Sequence, residues 1–188
     1  MSGSLSGRRV AVLATDGFEN AELSEPLQGL RAAGARADVI SLKSDDIQGY
    51  DHHTPSEKAK VDKTLDEISE ADYDALVLPG GVMNPDALRI EPQAIAFVRG
   101  FVRGNKPIAA VCHGPWTLID AGGVYGKTMT SWPSLKMDLT NAGAKWVDEE
   151  VVVDGNLVTS RKPDDLPAFV EKTIDMIANA PKRAAAAE

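Results

Sequence analysis

The chemistry legible in this chain of 188 residues begins at its single cysteine, Cys112. It stands in Ala110-Val111-Cys112-His113-Gly114-Pro115, after an apolar run of strand length, Pro107-Ile-Ala-Ala-Val111. Small residues two before and two after the thiol meet the steric demand of a nucleophile elbow, with Ala replacing the first glycine and Cys replacing serine. A thiol held there faces a crevice near the amino end of the following helix, whose positive dipole end favours a thiolate. On that ground Cys112 is expected to ionise below the ordinary value of about 8.5. A lone cysteine is more commonly a small buried hydrophobe. The flanking pattern tips the reading toward a reactive thiol.

Two other loops carry groups that fit such a thiol. Asp74-Ala-Leu-Val-Leu78 is followed by Pro79-Gly80-Gly81, and consecutive glycines can aim backbone N–H groups at a developing oxyanion. The plain alternative is a tight turn that needs positive φ. Gly80, Gly81 and His113 are candidate oxyanion donors on these grounds, with the turn reading equally open. After the run Arg9–Thr15 comes Asp16-Gly-Phe-Glu19-Asn-Ala-Glu22-Leu23, where a carboxylate could reach the thiol. Taken alone, Glu19 and Glu22 simply favour a helix amino end. His113 is either the base or mainly a backbone donor, since neighbouring side chains diverge unless the backbone is strained. His52 and His53 lie in a polar stretch without a spaced third ligand, so neither a metal nor a cofactor is expected. Trp116, Trp132 and Trp146 read as core or pocket walls, because no basic residues interleave with them.

The elements that must position these groups alternate between two periods. Strands are expected at 9–15, 38–42, 74–78 and 107–111, each a continuous apolar run typical of a strand covered on both faces. Helices are expected at 21–33, with Leu23, Leu27 and Leu30 on one face and Pro26 in the first turn, and at 92–103, 115–121 and 165–180, the last capped by Asp164 or Asp165. Val151–Ser160 reads as a β-hairpin turning at Asp154-Gly155, and 43–70 as largely irregular with a short helix near Leu65. The alternation implies a three-layer α/β/α sandwich with a mainly parallel sheet in a single domain, 1–188, with 1–8 and 181–188 as loose tails. Ligands in such sheets sit beyond the carboxyl ends of the strands, where all three loops lie.

Composition excludes several functions. The net charge is −8 with no basic run longer than two residues, which argues against nucleic-acid binding. No apolar run approaches the roughly 18 residues of a membrane span. One cysteine allows no intrachain disulfide, and a cytoplasmic location is the simplest expectation.

Phe18-Glu-Asn-Ala-Glu-Leu23, Leu76-Val-Leu-Pro-Gly-Gly81, Ala110–Pro115, Thr130-Ser-Trp-Pro133 and Val151–Asn156, in this order, resemble the ThiJ/PfpI superfamily. That resemblance implies a flavodoxin-like fold of the class I glutamine amidotransferase type. It is nearest to the PfpI branch of intracellular, C56-type cysteine peptidases, which includes bacterial general stress proteins. It makes Cys112 the nucleophile, His113 its neighbour in a triad, and Glu22 the acid that hydrogen-bonds the cysteine. It makes Asp86, in Pro85-Asp86, the third acid, supplied by a neighbouring subunit of a homodimer or larger assembly. Glu19 and Trp132 would line the pocket, Trp132 standing where archaeal peptidases carry Tyr. The implied activity is a stress-related cysteine hydrolase acting on a peptide, acyl or small carbonyl substrate. The alternatives are glyoxalase- or deglycase-type detoxification of methylglyoxal adducts, or a non-catalytic redox sensor with an oxidisable Cys112. No downstream histidine matches the triad of true glutamine amidotransferases.

Overall fold

The computed structural model describes residues 5–181. The chain runs β1 (Arg9–Leu13), β2 (Phe18–Glu19), α1 (Asn20–Ala32), β3 (Arg36–Ser41), β4 (Ile47–Asp51), β5 (Thr54–Ala59), β6 (Lys63–Thr64), β7 (Ala75–Leu78) and α2 (Met83–Arg89). It continues α3 (Pro92–Arg103), β8 (Ile108–Val111), α4 (Pro115–Asp120), β9 (Thr128–Met129), α5 (Lys136–Asn141), β10 (Lys145–Trp146), β11 (Val151–Asp154), β12 (Leu157–Ser160) and α6 (Leu166–Asn179).

The main sheet has the order β11-β12-β8-β7-β1-β3-β6, parallel throughout except for the antiparallel β11–β12 hairpin. Its central strands are apolar on both faces because each face carries helices. In β1, Val10 and Val12 pack on the side of α1 and α6, with Leu30 and Phe169, while Ala11 and Leu13 pack on the side of α3 and α4, with Phe97, Phe101 and Leu118. β7 and β8 alternate in the same way, as the period of two along a strand requires. The expected α/β/α sandwich and the hairpin at Asp154-Gly155 are present, with Gly155 at φ +62° in the turn.

Four expectations are corrected. Residues 5–8 are not loose: Leu5 is fully buried, its N–H donates to the Ala33 carbonyl, and the Arg8 side chain is buried. The rest of the expected tails, other than Pro181, lies outside the described residues. Segment 47–59 is a hairpin, β4 with β5, closed at His52-His53 and paired through β4 to β2; the exposed, polar β5 hides it from an apolar-pattern reading. Pro26 lies in the interior of α1, because the helix opens at Asn20, so the Glu22 carbonyl loses its i+4 donor. Asp165 does not cap α6 with its side chain; it pairs with Arg161 at 2.8 Å.

Candidate active site

β1, β7 and β8 are neighbours, so the loops leaving their carboxyl ends lie side by side. The fit is tight enough to specify a glycine. A Cβ on Gly80 would stand 2.5 Å from Glu22 Oε2, 2.7 Å from Cys112 Cβ and 2.9 Å from the His113 nitrogen. Buried Asn84, in α2, stitches two of the loops together. It accepts the Thr15 N–H at 2.8 Å and donates to the carbonyls of Pro79 and Gly80, each at 3.0 Å.

Cys112 adopts φ +59°, a left-handed conformation that costs an L residue roughly 1–2 kcal/mol. The surroundings hold it there. Its N–H donates to the Ser160 carbonyl at 3.1 Å, and its carbonyl accepts the Trp132 N–H at 3.0 Å. The same twist turns adjacent side chains toward one another, so His113 Nδ1 lies 3.2 Å from Cys112 Sγ. Both residues are only 7% exposed.

Glu22 is fully buried on α1. Its Oε2 accepts the Gly80 N–H at 2.9 Å, whereas Oε1 finds no conventional hydrogen-bond partner. The remaining side-chain interaction of this carboxyl is with the Cys112 thiol. Burial pushes the Glu22 carboxyl up to about 8, with the Glu19 charge adding to the push and the thiol opposing it. Glu22 therefore keeps its proton at pH 7. Burial also pushes the Cys112 thiol up, and Glu22 adds to that, while the His113 and Gly81 N–H groups pull the other way. The expected depression of the thiol is thus reversed in direction. The thiol is buried, and α4 is a helix of only six residues. Burial lowers the His113 imidazole to about 4, so it is neutral at pH 7.

The His113 ring is clamped by its own chain. It stacks on Trp132, with centroids 6.1 Å apart at 26°, and meets Trp116 edge-on at 5.2 Å. Its Nε2 lies 3.3 Å from Ser134 Oγ. Sequence reading missed Ser134 and Asn84, since neither belongs to a spacing pattern.

A cavity of about 250 Å³ opens onto the thiol, lined by Glu19, Glu22, Gly81, Cys112, His113 and Trp132 among others. Glu19 and Trp132 both line this cavity, and Glu19 Oε2 accepts the His52 N–H at 3.0 Å. Gly80 does not fit its expected part as an oxyanion donor, because its N–H is taken by Glu22. The N–H groups of Gly81 and His113 face the sulfur. Asp86 is exposed on α2 and does not line the pocket of its own chain. Among the described residues, Glu19, Asp51 and His52 bring ligand atoms within 4.8 Å of one another, but Asp51 and His52 are exposed and already paired with each other at 3.0 Å. A larger cavity of about 630 Å³, beside Lys127 and Asp175, is lined by no cysteine, serine or histidine among the described residues.

Residues 8–176 match the DJ-1/PfpI family. Over 171 residues the chain is 40% identical to Protein/nucleic acid deglycase 2 of Escherichia coli (strain K12), covering 90% of this chain and 98% of that protein. It is 38% identical over 173 residues to General stress protein 18 of Bacillus subtilis (strain 168), covering 91% and 98%. Among solved structures it is similar to Drosophila melanogaster DJ-1beta, with a TM-score of 0.84 and 30% identity over 94% of this chain and 92% of that one. With its parallel sheet, its elbow cysteine and these matches, the chain belongs to the DJ-1/PfpI family.

Proposed function

We propose that this protein is a cysteine-dependent enzyme of the deglycase or glyoxalase type, acting on small carbonyl compounds and their adducts. The observation that carries the reading is Cys112 at a strained elbow, with His113 Nδ1 at 3.2 Å and the protonatable Glu22 beneath it. His113, neutral at pH 7, takes the thiol proton as Sγ bonds to the carbonyl carbon. The carbonyl electron pair moves onto oxygen, where the Gly81 and His113 N–H groups receive the charge. Glu22 keeps its proton and can donate to sulfur, so no second negative charge forms beside the thiolate.

With methylglyoxal, the thiohemiacetal carbon passes its hydrogen to the neighbouring carbonyl carbon by proton shifts, leaving a thioester. Water then releases lactate and the thiol. Methylglyoxal plus water balances lactate, and no outside oxidant enters.

A cavity of about 250 Å³ suits a small substrate better than the extended groove a peptide requires, and among the described residues no Lys or Arg lines it to hold an anionic one. The names of the two relatives favour the same reading, one a deglycase and the other a stress protein. Asp86, outside its own pocket, is assigned to the His113 of a second copy in a two-fold homodimer, lending charge to the imidazolium that forms. A single free thiol fits a reducing cytoplasm.

The test is turnover of methylglyoxal and of fluorogenic peptides, with Cys112→Ala as control. Turnover of methylglyoxal that is lost in the control is expected. Peptide cleavage without methylglyoxal turnover would return the peptidase reading.

A further inference from the structure

The His113 ring offers two nitrogens and, being neutral, only one hydrogen to share between them. To take a proton from the thiol at Nδ1, it must carry its hydrogen on Nε2. Something must hold it there, and within this chain the group facing Nε2 is a hydroxyl, Ser134 Oγ, at 3.3 Å.

Ser134 is well placed to do this. It sits in the 3-10 turn Pro133–Leu135, between a proline that restricts the backbone and Leu135, which is buried in the core. The same segment is tied to the elbow by the Trp132 N–H on the Cys112 carbonyl, and Trp132 stacks on the imidazole. Ring plane, ring rotation and distal nitrogen are thus all fixed from residues 132–134. Ser134 is exposed, so its own hydroxyl hydrogen can turn to water while its lone pair accepts from Nε2–H.

We propose that Ser134 is the positioning residue for His113: its Oγ accepts Nε2–H and so selects the tautomer whose Nδ1 can receive the Cys112 proton. This rests on the reading of Cys112 and His113 as nucleophile and base, and it assigns the orienting group to the same chain. The charge supplied by Asp86 of a second copy is a separate contribution.

The tautomer can be read without any substrate. Long-range ¹H–¹⁵N NMR on ¹⁵N-histidine protein distinguishes Nε2–H from Nδ1–H, with His113→Gln identifying the signal. The parent should show His113 as Nε2–H. Ser134→Ala should give a mixture and slow Cys112 alkylation by iodoacetamide about 2- to 10-fold at pH 7, the range expected for one lost hydrogen bond. Ser134→Thr, which keeps the hydroxyl, should restore both, and Asp86→Asn should leave the tautomer unchanged. A parent with Nδ1–H, a Ser134→Ala protein with an unaltered tautomer, or a tautomer that shifts in Asp86→Asn would each overturn the proposal. Absence of turnover with an intact Nε2–H signal would count against the proposed function and leave this assignment standing.

Discussion

Replacing Glu22 by Gln should change how stability depends on pH, and the change can be sized. The unfolded chain sheds this proton near 4.5, whereas the folded protein keeps it until about 8. Across that window the native state binds more protons than the unfolded state, so stability falls as pH rises. Each pH unit of the window is worth about 1.4 kcal/mol, giving on the order of 4–5 kcal/mol in all. His113 works the other way, since its folded value is about 4 against an ordinary 6.5. It contributes stability that rises with pH up to about 6.5 and is constant above that. Between pH 6.5 and 8 the Glu22 effect is therefore free of His113 and amounts to about 2 kcal/mol, or roughly 4–8 °C in Tm for a chain of this size. Gln is the right replacement because its amide oxygen still accepts the Gly80 N–H and its NH₂ can still face the sulfur. Urea titrations of both proteins at pH 6.5 and 8 decide the matter. The parent should lose about 2 kcal/mol more than Glu22→Gln over that interval. Parallel losses would mean that Glu22 is already ionised at neutral pH, and the reasoning would fail.

Glu22→Gln should also move the ionisation midpoint of Cys112 downward in a pH profile of alkylation rate, because above about pH 8 Glu22 is ionised and its charge opposes a thiolate beside it; an upward shift would contradict this. Gly80→Ala should cost about 1–3 kcal/mol in denaturant unfolding and at least 100-fold in turnover, since its Cβ meets Cys112 Cβ at 2.7 Å and must displace the nucleophile. Cys112→Ser and Asp86→Asn, each impaired alone, should recover roughly a quarter of parental activity when unfolded and refolded together in equal amounts. Half of the dimers are then mixed, and each mixed dimer keeps one intact site. No recovery would place the acid elsewhere.

The parts of the fold that were legible in the sequence are those where both faces of an element are buried. β1, β7 and β8 read as unbroken apolar runs because helices cover them on either side. β5 was not legible, since Thr54–Ala59 is a polar, largely exposed strand whose pairing is set by the turn at His52-His53. α2 and α5 are seven and six residues long, too short to display a period. At the site, the elbow spacing and the Gly-Gly turn marked where Cys112, His113 and Glu22 come together, because close backbone approach demands small residues. Charge states were harder to foresee. Whether Cys112 is favoured as a thiolate depends on how deeply it is buried and on the proton of Glu22, and both are set by packing across the fold. Ser134 has no motif, since a hydroxyl facing a ring nitrogen is defined only in three dimensions.

The Arg8 clamp has a consequence for how the chain can be rearranged. Its guanidinium donates to the carbonyls of Ala178, Ala180 and Pro181 and lies 3.8 Å from the buried Asp74 carboxylate. This draws the outgoing end of α6 against the incoming end of β1, at the amino edge of the sheet. Leu5, whose carbonyl accepts the Arg8 N–H, and Pro181, whose carbonyl accepts from the Arg8 side chain, thus both lie on the side opposite Cys112. A bridge joining them would close the backbone into a ring without disturbing a strand. Cargo attached at either of these two positions would emerge on that far side, leaving the thiol open to substrate.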